Sequence, residues 1–284
     1  MGEQQKSCHL IFLDKGEIKM ANKMKVRISN YSNAEHPILT IYKAYRLCYS
    51  KGEQSEIKIP VNEEGHIDFD AMRDFIVDKM KMGHTTPLEH VSFTFEVSGV
   101  SRALTHQLVR HRTGKYNQQS QRYVKLGQFE YVIPPSIAED PELKARYIEE
   151  MERDQKAYDF FVDKLITNQI KRHYPWFSEP TNHVLFKETN RKAYIKFEKK
   201  AIEDARYKFP NACTSNITMT FDLHNFRKFY QLRKCSHAQW EIQDLATLCG
   251  TLVKDIIPWA LIYSMNCGKT CFDCSNRELL KMEG

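Results

Sequence analysis

The chain has 284 residues, of which 42% are hydrophobic and 27% charged, with a formal net charge of +6. That balance is ordinary for a soluble globular protein, and its positive excess favours acidic ligands or nucleic acid without singling out either. No run approaches the roughly 20 apolar residues of a membrane span. The opening MGEQQKSCHL has no apolar core of a secretory signal, and Lys6 argues against myristoylation. The eight cysteines are scattered through a large apolar-rich chain and read as reduced thiols of a cytoplasmic protein. Cys267, Cys271 and Cys274 form only half of a zinc pattern, so no metal is expected there.

Residues 1–23 read as an N-terminal extension. One domain over 24–262 follows, with a helical insertion at about 140–205, and then a Cys-rich tail over 263–284. From Met24, MKVRISNY reads as the first strand. Ile41, Ala44, Tyr45 and Cys48 carry helical spacing within 38–50. Phe69, Met72, Ile76 and Met80 predict a second helix over 67–82, stopped by Gly83. The polar stretch 84–90 reads as a loop; its His84 and His90 lack the spacing of a helical metal pair. Val91, Phe93, Phe95 and Val97 alternate strictly with polar residues and predict a half-buried strand. Ser101 then caps a helix that runs to Gly114, with Leu104, Leu108 and His111 on the inward face. Asn117–Arg122 is expected as a loop, and 129–133 as a further strand.

A long amphipathic helix is predicted over 141–172, with Leu143, Tyr147, Met151, Tyr158, Phe161, Leu165 and Ile170 inward. A loop through Trp176 leads to another helix at about 188–208. Residues 214–221 read as a strand, and Asp222 caps a helix reaching Leu232. A core helix spans 236–256, and Pro258 breaks it. The fold class expected from this order is α+β, with a twisted, mostly antiparallel sheet flanked by long helices.

The densest cluster of ligand-binding side chains is 101–123, SRALTHQLVRHRTGKYNQQSQRY. From Arg110 to Arg122 its formal charges are all positive, from Arg110, Arg112, Lys115 and Arg122. A guanidinium grips a phosphate or uracil-like edge with two parallel hydrogen bonds, and an amide presents both donor and acceptor. The plain alternative is a solvated basic helix end, which complements a helix dipole. A second alternative is a single-stranded nucleic-acid surface, with Tyr116 and Tyr123 stacking on bases. A Ser/His hydrolase is disfavoured because no nucleophile elbow is present.

The order Arg110-His111-Arg112, Asn117, Ser120, Arg122 resembles the RHRxxSxNExSxR signature of the flavin-dependent thymidylate synthases. Lys115 stands where that family has Ser, and Gln118 where it often has Glu. GHTTPLEH before the signature and LRxxSHAQWEIQ after it are similar to two more family segments, in family order. The resemblance implies methylation of dUMP to dTMP, with methylenetetrahydrofolate giving the carbon, FAD in its reduced form the hydride, and NADPH recharging the flavin. It also implies a homotetramer with active sites shared between subunits, and neither nucleic acid nor membrane as partner.

Carried over by position, Arg233, Ser120 and His84 are the catalytic candidates. Arg233 would polarise the uracil. Ser120 has no basic neighbour in sequence and reads better as a hydrogen-bond partner of the nucleotide than as a nucleophile. The flavin contacts would be Thr86, Arg110, His111, Arg112, Gln118, Asp222, His224, Lys228 and His237. The nucleotide contacts would be Gln107, Leu108, Val109, Arg110, Gln118, Gln119, Ser120, Gln121, Arg122, Arg206 and Arg233. Asp222 is also an obvious helix cap, and Glu89 either orients a neighbour or forms a surface ion pair.

Overall fold

The computed structural model describes residues 11–13, 17–19, 24–31, 35–120 and 129–261. These fall into two compact units, described separately. The first takes the described residues of Met1–Val100, Leu104–Asn117 and Asn216–Gly284; the second those of Ser101–Ala103 and Gln118–Ser215.

The first unit is built on a sheet. In chain order its strands are β1 (Ile11–Leu13), β2 (Glu17–Lys19), β3 (Lys25–Tyr31), β4 (Ser92–Ser101), β5 (Lys115–Gln118) and β6 (Thr214–Asp222). They lie in the order β1-β2-β3-β4-β6-β5. Each neighbouring pair from β1 to β4 is antiparallel, with Val26 opposite Val97 and Ile28 opposite Phe95. Two short strands thus precede Met24, within the stretch expected as a plain extension. The alternation of β4 buries Phe93, Phe95 and Val97 as predicted. It slips beyond Val97, where Gly99 has φ 72, so that Val100 and Ser101 are both buried and the strand runs past its expected end. Thr94 and Thr220 join β4 to β6 through their hydroxyls at 2.9 Å.

Helices cover this sheet. α1 (Pro37–Leu47) starts with Pro at its first position and is capped by His36. It buries Ile41, Tyr42 and Tyr45 but leaves Cys48 exposed, against the expected face. α2 (Phe69–Lys81) is capped by Asp68, whose carboxylate accepts from the Ala71 amide at 2.9 Å. Met72, Ile76 and Met80 are buried, whereas Phe69 sits at the rim against His36. α3 (Arg102–Leu108) follows β4 directly and stops six residues before the predicted Gly114. Tyr116 of β5 packs edge-on to Phe221 of β6, with ring centroids 5.9 Å apart. A Cβ on Gly114 would lie 2.4 Å from the Tyr116 hydroxyl and 2.6 Å from the Phe221 ring, so that only glycine fits there.

The second unit is helical: α4 (Pro135–Ala138), α5 (Pro141–His173), α6 (His183–Thr189) and α7 (Arg191–Ala205). The helices expected as an insertion belong to it. Tyr158, Val162, Ile166 and Ile170 of α5 pack with Phe186 of α6 and Phe197 and Ala201 of α7. Leu143 and Phe161 were expected inward but are exposed. The buried stripe instead runs through Gln155, whose amide accepts from the Phe129 N–H at 2.9 Å and donates to Asp159. Residues 129–133 are not a strand: only Tyr131 bridges, to Cys213, with one backbone bond on either side. α6 was not predicted; Asn182 caps it by accepting from the Leu185 amide, and Asn190 separates it from α7.

Back in the first unit, α8 (Leu223–Arg233) and α9 (Trp240–Ile256) close the main core. Asp222 caps α8 and Gln239 caps α9, which therefore starts later than the predicted 236. Ile242, Leu245, Cys249 and Leu252 are buried as expected. No helix among the described residues is long and apolar enough to cross a membrane. Among the described residues Cys48, Cys213, Cys235 and Cys249 form no disulfide with one another, while Cys8, Cys267, Cys271 and Cys274 lie outside the described residues.

Burial pushes the Asp244 carboxyl up to about 6, against the opposing pull of Lys234 and with a smaller push from Glu241. A raised carboxylate binds protons in the folded state that the unfolded chain has released, so its contribution is lost as pH rises from about 3.8 through 6. Asp244→Asn should therefore raise the denaturation midpoint at pH 7.5 and flatten its pH dependence in that window. Gly114→Ala should lower stability by about 1–3 kcal/mol through overpacking, read as a shift in urea midpoint at constant slope.

Candidate active site

Leu104 and Leu108 anchor α3 in the core. Beyond Leu108 the chain tightens: the Arg110 N–H bonds Gln107 at 3.2 Å and the His111 N–H bonds Leu108 at 3.0 Å. This turn lifts Arg110, His111 and Arg112 off the helix end. Arg110 and Arg112 are exposed, and neither has a carboxylate partner among the described residues. Gln107 is half-buried and Val109 exposed, whereas Leu108 is inaccessible to solvent as a whole residue, and its carbonyl already accepts from the His111 N–H.

His111 is fixed on three sides. Its carbonyl accepts from the Tyr116 hydroxyl at 2.9 Å and from the Gly114 N–H at 3.0 Å. Its ring stands edge-on to Phe229, centroid to centroid 5.1 Å. Its Nε2 accepts the Nε–H of Arg233 at 2.8 Å. Burial and the Arg233 charge push the imidazole down to about 4, so it is neutral at physiological pH. An accepting Nε2 places the ring proton on Nδ1. Arg233 is the last residue of α8 and is half-buried. Its two terminal nitrogens have no partner among the described residues. Residues 122 positions apart in sequence thus form one cationic cluster, with Arg110 and Arg112 beside it in the chain.

A second cluster lies at the other end of α8. The Leu223 N–H bonds the Val91 carbonyl at 2.7 Å, which seats the helix start against the 3-10 turn Thr86–His90. His224 is pushed down by burial and then by Lys228, with Glu89 pulling the other way. His84 and Thr86 are exposed, and the His84 carbonyl is held by the Tyr45 hydroxyl. Both Asp222 oxygens serve the cap, bonding the Asn225 N–H at 2.8 Å and its side-chain amide at 2.7 Å. Asp222 thus acts as the N-cap of α8. Arg233 lies nine positions beyond His224 on the helix, a rise of about 14 Å at roughly 1.5 Å per residue. The two clusters are therefore distinct in one chain. His237 is exposed just after α8, and Gln239 is taken up in capping α9.

In the second unit, the Gln118 amide donates to the Ser215 hydroxyl at 3.2 Å. Asn117 and Gln118 belong to β5 rather than to a loop. Gln119 is exposed and Ser120 half-buried; Gln121 and Arg122 lie outside the described residues. Arg206 donates from Nε to the Glu203 carbonyl at 3.2 Å. Arg102 was passed over in the sequence. Burial pushes it below the usual guanidinium value, and Arg206 adds to that. An arginine in the first turn of a helix, where the dipole disfavours a cation, is the signal that was available. A groove of about 720 Å³ lined by His173, Tyr174, Trp176, Lys196 and Phe197 gathers none of the motif residues.

The family model described as thymidylate synthase complementing protein matches residues 29–259. The flavin-dependent thymidylate synthase of Clostridium tetani is 40% identical over 268 residues, covering 91% of this chain and 96% of that one. The enzyme of the same description from Nitratidesulfovibrio vulgaris is 36% identical over 232 residues, covering 82% and 84%. Among solved structures, a UMP/dUMP methylase, PolB, from Streptomyces cacaoi, bound with 5-Br dUMP, aligns at a TM-score of 0.61 and 19% identity, over 84% of this chain and 93% of that one. At that identity the likeness concerns the fold, which is α+β. With a family match across the whole described core and relatives covered almost end to end, the chain belongs to the thymidylate synthase complementing protein family, the flavin-dependent thymidylate synthases.

Proposed function

We propose that the chain carries out the reductive methylation of dUMP to dTMP, taking the carbon from 5,10-methylenetetrahydrofolate and the hydride from FAD reduced by NADPH. The observation that carries this reading is the joining of Arg233 to the Arg110–Arg112 turn as a cationic cluster with no carboxylate partner among the described residues. A dianionic nucleotide and a flavin diphosphate both require such a surface, and a site lined with paired charges would not attract them. The donor set fits the flavin: Arg112 and Lys228 are exposed cations without a carboxylate partner among the described residues. His237 adds an exposed imidazole. When bound, FAD supplies the hydride chemistry; the protein supplies orientation and electrostatics.

Arg233 is assigned to the uracil. A fixed guanidinium beside a carbonyl of the ring stabilises the negative charge that develops on it, in a site where few waters compete. Arg110 is assigned to the nucleotide phosphate, and Gln118–Arg122 and Arg206 are carried over as further nucleotide contacts. Ser120 is assigned a hydrogen bond to the nucleotide. The separation of the two clusters along α8 supports a homotetramer with shared sites, in which the His84–Thr86 turn, His224 and Lys228 serve the flavin of a neighbouring copy. Family membership disfavours the nucleic-acid reading of residues 110–123.

The purified protein should be yellow, and its flavin absorbance should bleach on adding NADPH; a colourless protein that takes up no FAD would sink the proposal. Arg233→Ala should cut turnover by about 100-fold or more while flavin absorbance is retained. Arg110→Ala should weaken dUMP binding by about 10-fold or more, measured by calorimetry; unchanged affinity would remove Arg110 from the nucleotide site.

A further inference from the structure

We infer that His111 is a positioning residue for Arg233: a neutral acceptor that aims the guanidinium and leaves its whole charge for the pyrimidine. The inference rests on the assignment of Arg233 to the uracil. His111 engages Nε–H at 2.8 Å, so the four N–H groups on the two terminal nitrogens keep no partner among the described residues. Tethering at Nε fixes the plane of the guanidinium, and its outer edge is the one suited to a bidentate contact.

The choice of acceptor matters as much as its place. An arginine is most simply held by a carboxylate, but that pairing cancels the charge the reaction needs. An imidazole accepts one hydrogen bond and contributes no counter-charge. Its orientation is built in advance, because the backbone of His111 is tied to Tyr116 and Gly114 and the ring is wedged against Phe229. Its surroundings also keep it neutral. From α8 it faces the Arg233 cation and the uncharged Phe229; from β5 it faces the Tyr116 phenol, which burial keeps protonated; Arg110 and Arg112 flank it in the chain. Burial and Arg233 both oppose a second ring proton. If that proton is added at low pH, Nε2 becomes a donor, the tether to Arg233 is lost, and two cations are left side by side.

Three variants of the full-length, flavin-loaded protein separate the roles. His111→Phe keeps the aromatic contact and removes the acceptor. It should lower kcat by about 100-fold, the scale for losing one preorganised electrostatic contact, with a smaller change in KM. His111→Gln restores a neutral acceptor and should recover at least about 10-fold of that loss, without the acid limb of kcat that the parent shows as His111 protonates. His111→Glu restores an acceptor but neutralises Arg233, and should stay as low as the Phe variant. Independently of turnover, 15N NMR of the flavin-free parent should show the His111 ring neutral with its proton on Nδ1 from pH 8 down to about 5, the signal being assigned by its loss in His111→Gln. Parental kcat in His111→Phe with Arg233→Ala inactive would overturn the positioning role alone. Parental turnover in Arg233→Ala would instead overturn the assignment of Arg233 on which it rests. If His111→Phe does not fold, the NMR decides: an Nε2-protonated ring in the parent overturns the inference.

Discussion

A half-buried arginine held by a neutral histidine is the contact on which the rest of the first unit converges. Arg233 reaches His111 only because α8 ends where the turn after α3 begins to lift away. Holding that geometry takes a rigid floor. Phe229 lies under the His111 ring and is itself stacked on Phe221 and packed against Phe226, which in turn stacks on Phe95 of β4. All four phenylalanines are essentially inaccessible to water. Burying such a side chain contributes about 1.5–3 kcal/mol each, far more than the single tether it supports. The aromatic stack thus determines where the charge sits, and the hydrogen bond determines how it is turned.

Helix α8 acts as a strut with a different environment at each end. Its start is fixed twice, by the Asp222 cap and by the Leu223 N–H on the Val91 carbonyl. Its end carries Arg233, where a cation also complements the helix dipole. Between them the buried Arg227 donates to the Ala260 carbonyl, tying the strut to the turn after α9. The rigidity of this arrangement explains why one chain presents two clusters rather than a single pocket. A helix cannot bend about 14 Å of separation away, so the His224 end and the Arg233 end remain separate in one copy.

The neutral state of His111 follows from the same packing. Its position beside a cation and away from water leaves the uncharged ring as the low-energy form. Stability linked to this group is present above about pH 6.5, the unperturbed value, and is lost as pH falls toward 4, because the unfolded chain takes up the proton first. Asp244 behaves in the opposite sense, so the two groups place opposing slopes on stability across the mildly acidic range.

Much of this was legible in the linear chain. Strict alternation over 91–97 marked β4, because a half-buried strand leaves a period of two. Helical spacing marked α2, α5 and α9, and Asp222 announced the start of α8 through its cap. The order of arginines, amides and serine in 110–122, together with its two partner segments, pointed to the family. Other features depended on contacts between distant residues. Residues 129–133 have strand-like composition, yet they pair at a single bridge, since a strand exists only where a neighbour offers a matching edge. Nothing local in Leu143 or Phe161 shows that the buried stripe of α5 runs through Gln155, whose burial depends on the Phe129 N–H. The sequence by itself determined which residue types could bind an anionic ring and its phosphates. Only the tertiary structure decided that Arg233 meets His111 while His224 sits near Glu89 at the other end of α8, because a hydrogen bond across 122 residues is set by how helices pack on a sheet and has no local signature.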